Sequence, residues 1–105
     1  MFTVGAPVTC TNADTAYPLT TSNILVKVLK ISQKSTNTGV VCIGNASIVP
    51  ATGVGVAAQL GIPATPTIEK WELTEVDAPN GILLSDFFVS SSHGGDIVLW
   101  GYDTQ

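Results

Sequence analysis

Short apolar runs separated by turn residues dominate the chain, and the runs are rich in β-branched and aromatic residues. In residues 24–33, Leu29 and Ile31 alternate with Lys30 and Ser32, the period expected of a strand with one buried and one wet face. Further strands are predicted over residues 2–9, 40–43, 47–49, 67–76, 82–90 and 96–102. The pattern predicts an all-β fold, an antiparallel β-sandwich or jelly roll of about eight strands.

Three polar segments between these runs have the composition of tight turns. Residues 35–39 (STNTG) predict a hairpin between the strands over 24–33 and 40–43, and residues 91–95 (SSHGG) predict a second hairpin before 96–102. In residues 77–81, Pro79 presets φ, and Asn80 and Gly81 tolerate positive φ, so this segment predicts a turn.

The segment from Pro50 to Pro66 carries no charge, so solvation alone does not explain it as an exposed loop. Alanine, glycine and proline are too small or too constrained to build much core there. We therefore predict that the segment contacts a partner, and the candidate interface residues are Val54, Val56, Leu60 and Ile62. The alternative is a loop folded back over one open end of its own sandwich.

Composition restricts the partners. The chain of 105 residues is 45% hydrophobic and only 11% charged, with a net charge of −4 and no arginine, and its length fits a single domain over residues 1–105. Without clustered basic residues, nucleic acid and anionic membranes are poor partners. No charge-free stretch is continuously apolar enough to span a bilayer, and the first ten residues lack the pattern of a secretory signal. We therefore expect folding in the cytoplasm, with Cys10 and Cys42 as reduced, buried residues.

Motifs for catalysis or cofactor binding are weak. Residues 53–58 fit the letters of a dinucleotide fingerprint, but Gly61-Ile62-Pro63 leaves no room for the helix that the fingerprint requires. Ser92, His93 and Asp96 supply the residue types of a catalytic triad, yet neighbours on one turn do not easily orient a base toward a nucleophile. The acidic residues around Glu72 form no calcium loop. We predict no enzyme activity, no metal and no cofactor.

Two stretches resemble small structural proteins of tailed bacteriophages. One is residues 23–44 (NILVKVLKISQKSTNTGVVCIG) preceded by Tyr17-Pro18-Leu19, and the other is residues 84–100 (LSDFFVSSSHGGDIVLW), in which a glycine turn leads to a strand with a late tryptophan. The resemblance implies a β-sandwich or jelly-roll virion protein assembled in the host cytoplasm. It also implies a role in capsid decoration, with the major capsid protein or other virion proteins as partners.

Other functions remain open at this stage. A neck, tail or fibre-attachment component would share these features, and a carbohydrate- or host-binding module would expose Trp71, Trp100 and Tyr102 as a stacking surface. Apolar residues on both faces of 24–26, together with Phe87 and Phe88, exceed what one small core readily covers. We therefore expect a homo-oligomer, and by analogy with phage accessory proteins a trimer.

Overall fold

The protein is almost entirely β-structure. The computed structural model describes residues 2–49, 52–63, 70–74, 76 and 78–104. These residues form ten strands: β1 (Phe2–Val4), β2 (Val8–Cys10), β3 (Tyr17–Pro18), β4 (Leu25–Gln33), β5 (Val41–Val49), β6 (Val54–Leu60), β7 (Lys70–Thr74), β8 (Ile82–Leu83), β9 (Phe88–Ser91) and β10 (Asp96–Thr104). A single 3-10 turn, Leu84–Asp86, precedes β9. The predicted all-β antiparallel class is confirmed.

The strand count is ten instead of about eight because two rows of the sandwich are each built from two short strands. β1 and β2 lie end to end along the side of β10 that faces away from β4. Val98 of β10, for example, pairs with Val8 of β2 on that side and with Gln33 of β4 on the opposite side. In the same way, β7 and β8 lie end to end along the side of β4 that does not pair with β10. Counted by rows, the sandwich has four in each sheet.

The row order is that of a jelly roll. The first sheet runs β1/β2, β10, β4, β7/β8, and the second runs β3, β9, β5, β6. The pairings are nested: the first row lies beside the last, β3 beside β9, β4 beside β7, and β5 beside β6. A chain paired in this nested way and rolled into two sheets has the double Greek-key arrangement of a jelly roll.

The core lies between the two sheets and follows the alternation of the strands. Leu29 and Ile31 of β4 face Val41 and Ile43 of β5, and all four belong to one buried cluster. The cluster is completed by Cys10, Leu19, Val26, Leu60, Ile82, Leu84, Val89, Val98 and Trp100. Fully burying one such aliphatic side chain stabilises the fold by about 1.5–3 kcal/mol.

A β-bulge explains the apolar residues on both faces of 24–26. Asp103 pairs with Val28 while Thr104 pairs with Val26, so Lys27 is an extra residue in β4. Val26 and Leu29 are therefore both buried although they are three residues apart. β8 pairs with this end of β4 on the side opposite β10. Val26 is thus covered within the chain, whereas Leu25 is 52% exposed.

Both predicted hairpins are wrong. β4 pairs with β10, β7 and β8, whereas β5 pairs with β6 and β9, so residues 34–40 cross from the first sheet to the second. Likewise β9 belongs to the second sheet and β10 to the first, so residues 92–95 cross back. Turn residues are compatible with a hairpin and with a crossing between sheets. Here the segment between β4 and β5 forms hydrogen bonds with the start of β10, and β5 does not pair with β4.

The turn near residue 80 forms as predicted. The Gly81 N–H donates to the Ala78 carbonyl at 3.0 Å, and Gly81 has a φ of +94°. Residue 77 of this prediction lies outside the described residues, as do residues 67–69 and 75 of the strand predicted over 67–76.

Candidate functional site

The four residues predicted to contact a partner fall on or beside β6, the edge strand of the second sheet. Val54 is 55% exposed, Ile62 is 61% exposed, and Val56 is half-buried. Leu60 is only 2% exposed and belongs to the core, so its assignment to a partner contact outside the core is wrong. It is buried because it pairs with Val41 and shares the inward face of the sheet. The flanking residues 50, 51 and 64–66 lie outside the described residues.

An irregular pairing, in which four residues of β5 lie opposite one residue of β6, shapes the tip of the β5–β6 hairpin. Gly44 pairs with Val56 and Val49 with Val54, so residues 45–48 of β5 lie opposite Gly55 alone. A Cβ on Gly44 would lie 1.8 Å from the Gly55 carbonyl oxygen, and Gly55 itself has a φ of +70°. The two glycines therefore allow a close backbone approach that leaves Val49 and Val54 exposed together at the tip.

A second exposed apolar surface lies on the outer face of the first sheet. Phe2, Val4 and Leu99 are all exposed, and the register places Val4 beside Gly101. The Phe2 ring covers Gly101, where a Cβ would come within 2.4 Å of the ring. We call the surface of Phe2, Val4, Leu99 and Gly101 the β1–β10 patch.

Beside the β1–β10 patch is a shallow groove of about 340 Å³. Its polar wall includes Lys30, Ser32, Lys70 and Glu72. The Lys30 ammonium lies 3.5 Å from the Glu72 carboxylate and 5.6 Å from the centre of the Phe2 ring. Both side chains of the ion pair are about half exposed, so the pair contributes little stability but cancels charge next to the apolar surface.

The tryptophans do not form an exposed stacking surface. Trp100 is 7% exposed, and its indole N–H donates to the Ala6 carbonyl at 2.7 Å. Tyr102 stacks on Trp100 with ring centres 5.8 Å apart, and Trp71 packs against Phe87 at 6.1 Å. These aromatic residues thus support the core instead of the flat platform on which a sugar ring would stack.

Ser92, His93 and Asp96 come together, but not in the order that a triad requires. In a triad the histidine lies between the serine and the aspartate. Here the buried Asp96 carboxylate accepts a 2.7 Å hydrogen bond directly from the Ser91 hydroxyl, while His93 Nδ1 lies 3.8 Å from it. The Ser92 hydroxyl is occupied as acceptor of the Val40 N–H at 2.8 Å.

Asp96 instead joins the two crossover segments. Its carboxylate also accepts hydrogen bonds from the Gly39 N–H at 2.8 Å and the Thr38 N–H at 3.1 Å. Burial would raise the pKa of Asp96, but the hydrogen bonds from Ser91, Thr38 and Gly39 outweigh it and lower the pKa below its usual value. Next to it, the Asn37 side chain bonds both the N–H and the carbonyl of Ile97 at 2.8 Å.

The remaining candidate motifs have other roles. Within residues 53–58, the segment from Val54 onward belongs to β6, so the dinucleotide-like letters lie on a strand. Among the described residues, no three His, Cys, Asp or Glu side chains are grouped as metal ligands would be. The same residues contain no helix long and apolar enough to cross a membrane.

Comparison with known proteins found no matching family model, no similar curated protein and no similar solved structure.

Sequence reasoning missed the β1–β10 patch and the bonding of Asp96. Phe2 and Leu99 are almost a hundred residues apart, and only the pairing of the first strand with the last brings them together. A signal for Asp96 was present, since it is an acidic residue at the start of an apolar strand directly after two glycines. Its partners Thr38 and Gly39 were hidden in the segment assigned to a hairpin.

Proposed function

We propose that the chain is a structural protein of a tailed-bacteriophage virion that decorates the assembled head shell. Two observations support the proposal. One is the resemblance of residues 17–19, 23–44 and 84–100 to phage structural proteins, and the other is the jelly-roll topology, an architecture used by viral capsid proteins among others. Topology alone does not determine function, so the proposal also needs an exposed surface that suits contact with a partner.

The β1–β10 patch is the observation that carries the proposal. Phe2, Val4 and Leu99 form exposed apolar surface on one sheet face, and such surface normally marks a partner contact. The neighbouring groove gives the patch a polar rim, in which Lys30 and Glu72 form an ion pair and Lys70 adds a positive charge. This combination suits docking on a protein lattice by shape and apolar contact. The major capsid protein is therefore the proposed partner.

Copy number tests the location. Quantitative mass spectrometry of purified particles of the phage whose genome encodes the chain should find copies on the order of hundreds per particle, as expected of a symmetric shell. A dozen copies or fewer would favour a neck, tail or fibre site over the shell. Absence from the particles would overturn the proposal.

Binding to undecorated shells of the same phage tests the surface. The pair Val4→Ser and Leu99→Ser should weaken co-sedimentation with the shells by about tenfold or more, because two exposed apolar contacts are lost. Leu25→Ser is the matched control, since Leu25 is an exposed apolar residue elsewhere on the same sheet. Equal binding by all variants would contradict a role for the β1–β10 patch.

A further inference from the structure

Three of the four sheet edges carry features that prevent strand pairing with another chain. The β1/β2 edge consists of two three-residue strands separated by a segment that ends at Pro7. The β3 edge is two residues long and includes Pro18. The β7/β8 edge carries Lys70 and Glu72. Short strands, prolines and charges are the usual means by which natural proteins protect an edge.

The fourth edge, β6, lacks these three features, although Ala57 is bulged against β5 and the regular pairing of β6 with β5 covers residues 58–60. It is seven residues long, with the sequence VGVAAQL, and contains neither charge nor proline. In the part of the chain that the structure describes, β6 pairs on one side with β5 and with no strand on the other. Ala57 and Gln59 are exposed along it, so neither a bulky nor a charged side chain hinders an approaching strand.

The distribution of apolar residues along β6 favours a second copy of the same chain as the occupant. Val54 and Ile62 are both more than half exposed, and each lies four positions from Ala58. An antiparallel pair centred near Ala58 brings Val54 of each copy toward Ile62, which follows β6 in the other copy, so the exposed apolar side chains lie at the same ends of the contact. In addition, residues 35–68 carry no charge, so two negatively charged chains can meet here without opposing like charges.

We propose that β6 pairs antiparallel with β6 of a second copy, which joins the second sheets into one continuous sheet with four strands from each chain. Main-chain hydrogen bonds supply the affinity, and the exposed apolar residues at both ends of β6 favour the antiparallel direction. Because this contact is the same on both copies, it closes at two chains. The homo-oligomer is then a dimer instead of the expected trimer, with Val54, Val56 and Ile62 near its interface.

Sedimentation analysis of the isolated chain tests the dimer and uses no phage component, so its outcome is independent of the virion proposal. The wild type should dissociate reversibly from twice 10.9 kDa to 10.9 kDa on dilution. The double variant Val54→Lys/Gln59→Lys should weaken dimerisation by about 100-fold, because each copy then brings two positive charges to the shared edge. Thr9→Lys/Thr11→Lys is the matched control, with the same added charge on exposed residues at the β1/β2 edge.

The control should dimerise like the wild type. A monomeric wild type at millimolar concentration, a mass three times 10.9 kDa, or equal weakening by both double variants would overturn the proposal. If the β6 variant fails to fold, hydrogen exchange of the wild type decides instead. Among residues 56–60, the amides that do not bond to β5 should gain at least tenfold protection on concentration, and unchanged exchange would refute the pairing.

Discussion

Asp96 shows how one side chain can set the connection between two sheets. It is 4% exposed and accepts hydrogen bonds from the Ser91 hydroxyl and from the N–H groups of Thr38 and Gly39. Thr38 and Gly39 lie in the segment that crosses from β4 to β5, and Ser91 ends β9 directly before the second crossing. A buried carboxylate is tolerated only when such donors replace water, so the three bonds also fix where the crossovers lie.

Replacing this carboxylate tests its role in stability. Asp96→Asn should lower the free energy of unfolding by about 2–3 kcal/mol. The substitution removes the negative charge and places an amide NH₂ group against the N–H and hydroxyl groups that donate to the carboxylate. Denaturant titration measures the loss. The matched control is Asp86→Asn at an exposed position, which should change stability by no more than about 0.5 kcal/mol. Equal effects of the two substitutions would contradict the assignment.

The lowered pKa of Asp96 makes stability depend on pH in a defined direction. In the folded state the pKa lies below the value of about 3.9 in the unfolded chain. The contribution of Asp96 is therefore fully present above pH 4 to 5 and is lost as pH falls through the folded-state pKa. Denaturant titrations between about pH 2.5 and 6 should show a steeper acid loss for the wild type than for Asp96→Asn. Parallel curves would refute the linkage.

The buried thiols should be unreactive in the native state. Both cysteines are free and buried, and burial, with a smaller effect of the Asp96 charge, raises the pKa of Cys10 to about 11. At pH 8, native protein should react with a thiol reagent at least about 100-fold more slowly than denatured protein. Denatured protein should release two thiols per chain. Rapid labelling of Cys10 in the native state, read by mass spectrometry, would disprove its burial.

At the scale of elements, sequence predicted strands well and their connections poorly. The alternation of Leu29, Lys30 and Ile31 identified β4 because one face of the strand is buried along most of its length. The segment 35–39 was assigned to a hairpin because turn residues suit any reversal of direction. Only the long-range bonds of Asn37 and Asp96 decide that the chain crosses to the other sheet. Local sequence carries no information on such contacts.

The surface predicted to contact a partner was only partly predictable, because local sequence does not show which residues the fold buries. The absence of charge in the segment from Pro50 to Pro66 drew attention to Val54 and Ile62, which are exposed. It did not separate them from Leu60, because burial of an edge-strand residue depends on which sheet face it occupies. The β1–β10 patch was not predicted, since its residues come from opposite ends of the chain.

The close approach of β5 and β6 gives a test at this scale. Gly44→Ala should lower the free energy of unfolding by about 1–3 kcal/mol, because the new methyl group would overlap the Gly55 carbonyl and force the hairpin apart. Thermal and denaturant unfolding measure the change. Ala46→Ser, at an exposed position in the same irregular pairing, is the control and should be nearly neutral. A neutral Gly44→Ala would mean that the irregular pairing adjusts freely.

For the whole molecule, the nested pairing places the first and last strands side by side. Phe2 of β1 pairs with Asp103 of β10, so a short glycine-serine linker can join β10 to β1. A circular permutant opened between Thr21 and Ser22, both exposed, should fold with an unchanged far-ultraviolet spectrum. Opening between Thr36 and Asn37 should cost at least about 2 kcal/mol more, because the cut lies beside the Asn37 and Asp96 bonds. Equal stability of the two permutants would contradict this role of the crossover.

The position of β10 in the middle of the first sheet has a consequence for biosynthesis. This strand comprises residues 96–104, yet β1, β2 and β4 all pair with it. During translation these earlier strands cannot pair with β10 until residues 96–104 have been synthesised and have left the ribosome. Until then the nascent chain keeps apolar strands unpaired and depends on chaperones that hold such segments. A premature stop codon anywhere before Asp96 therefore yields a product for proteolysis instead of a smaller folded domain.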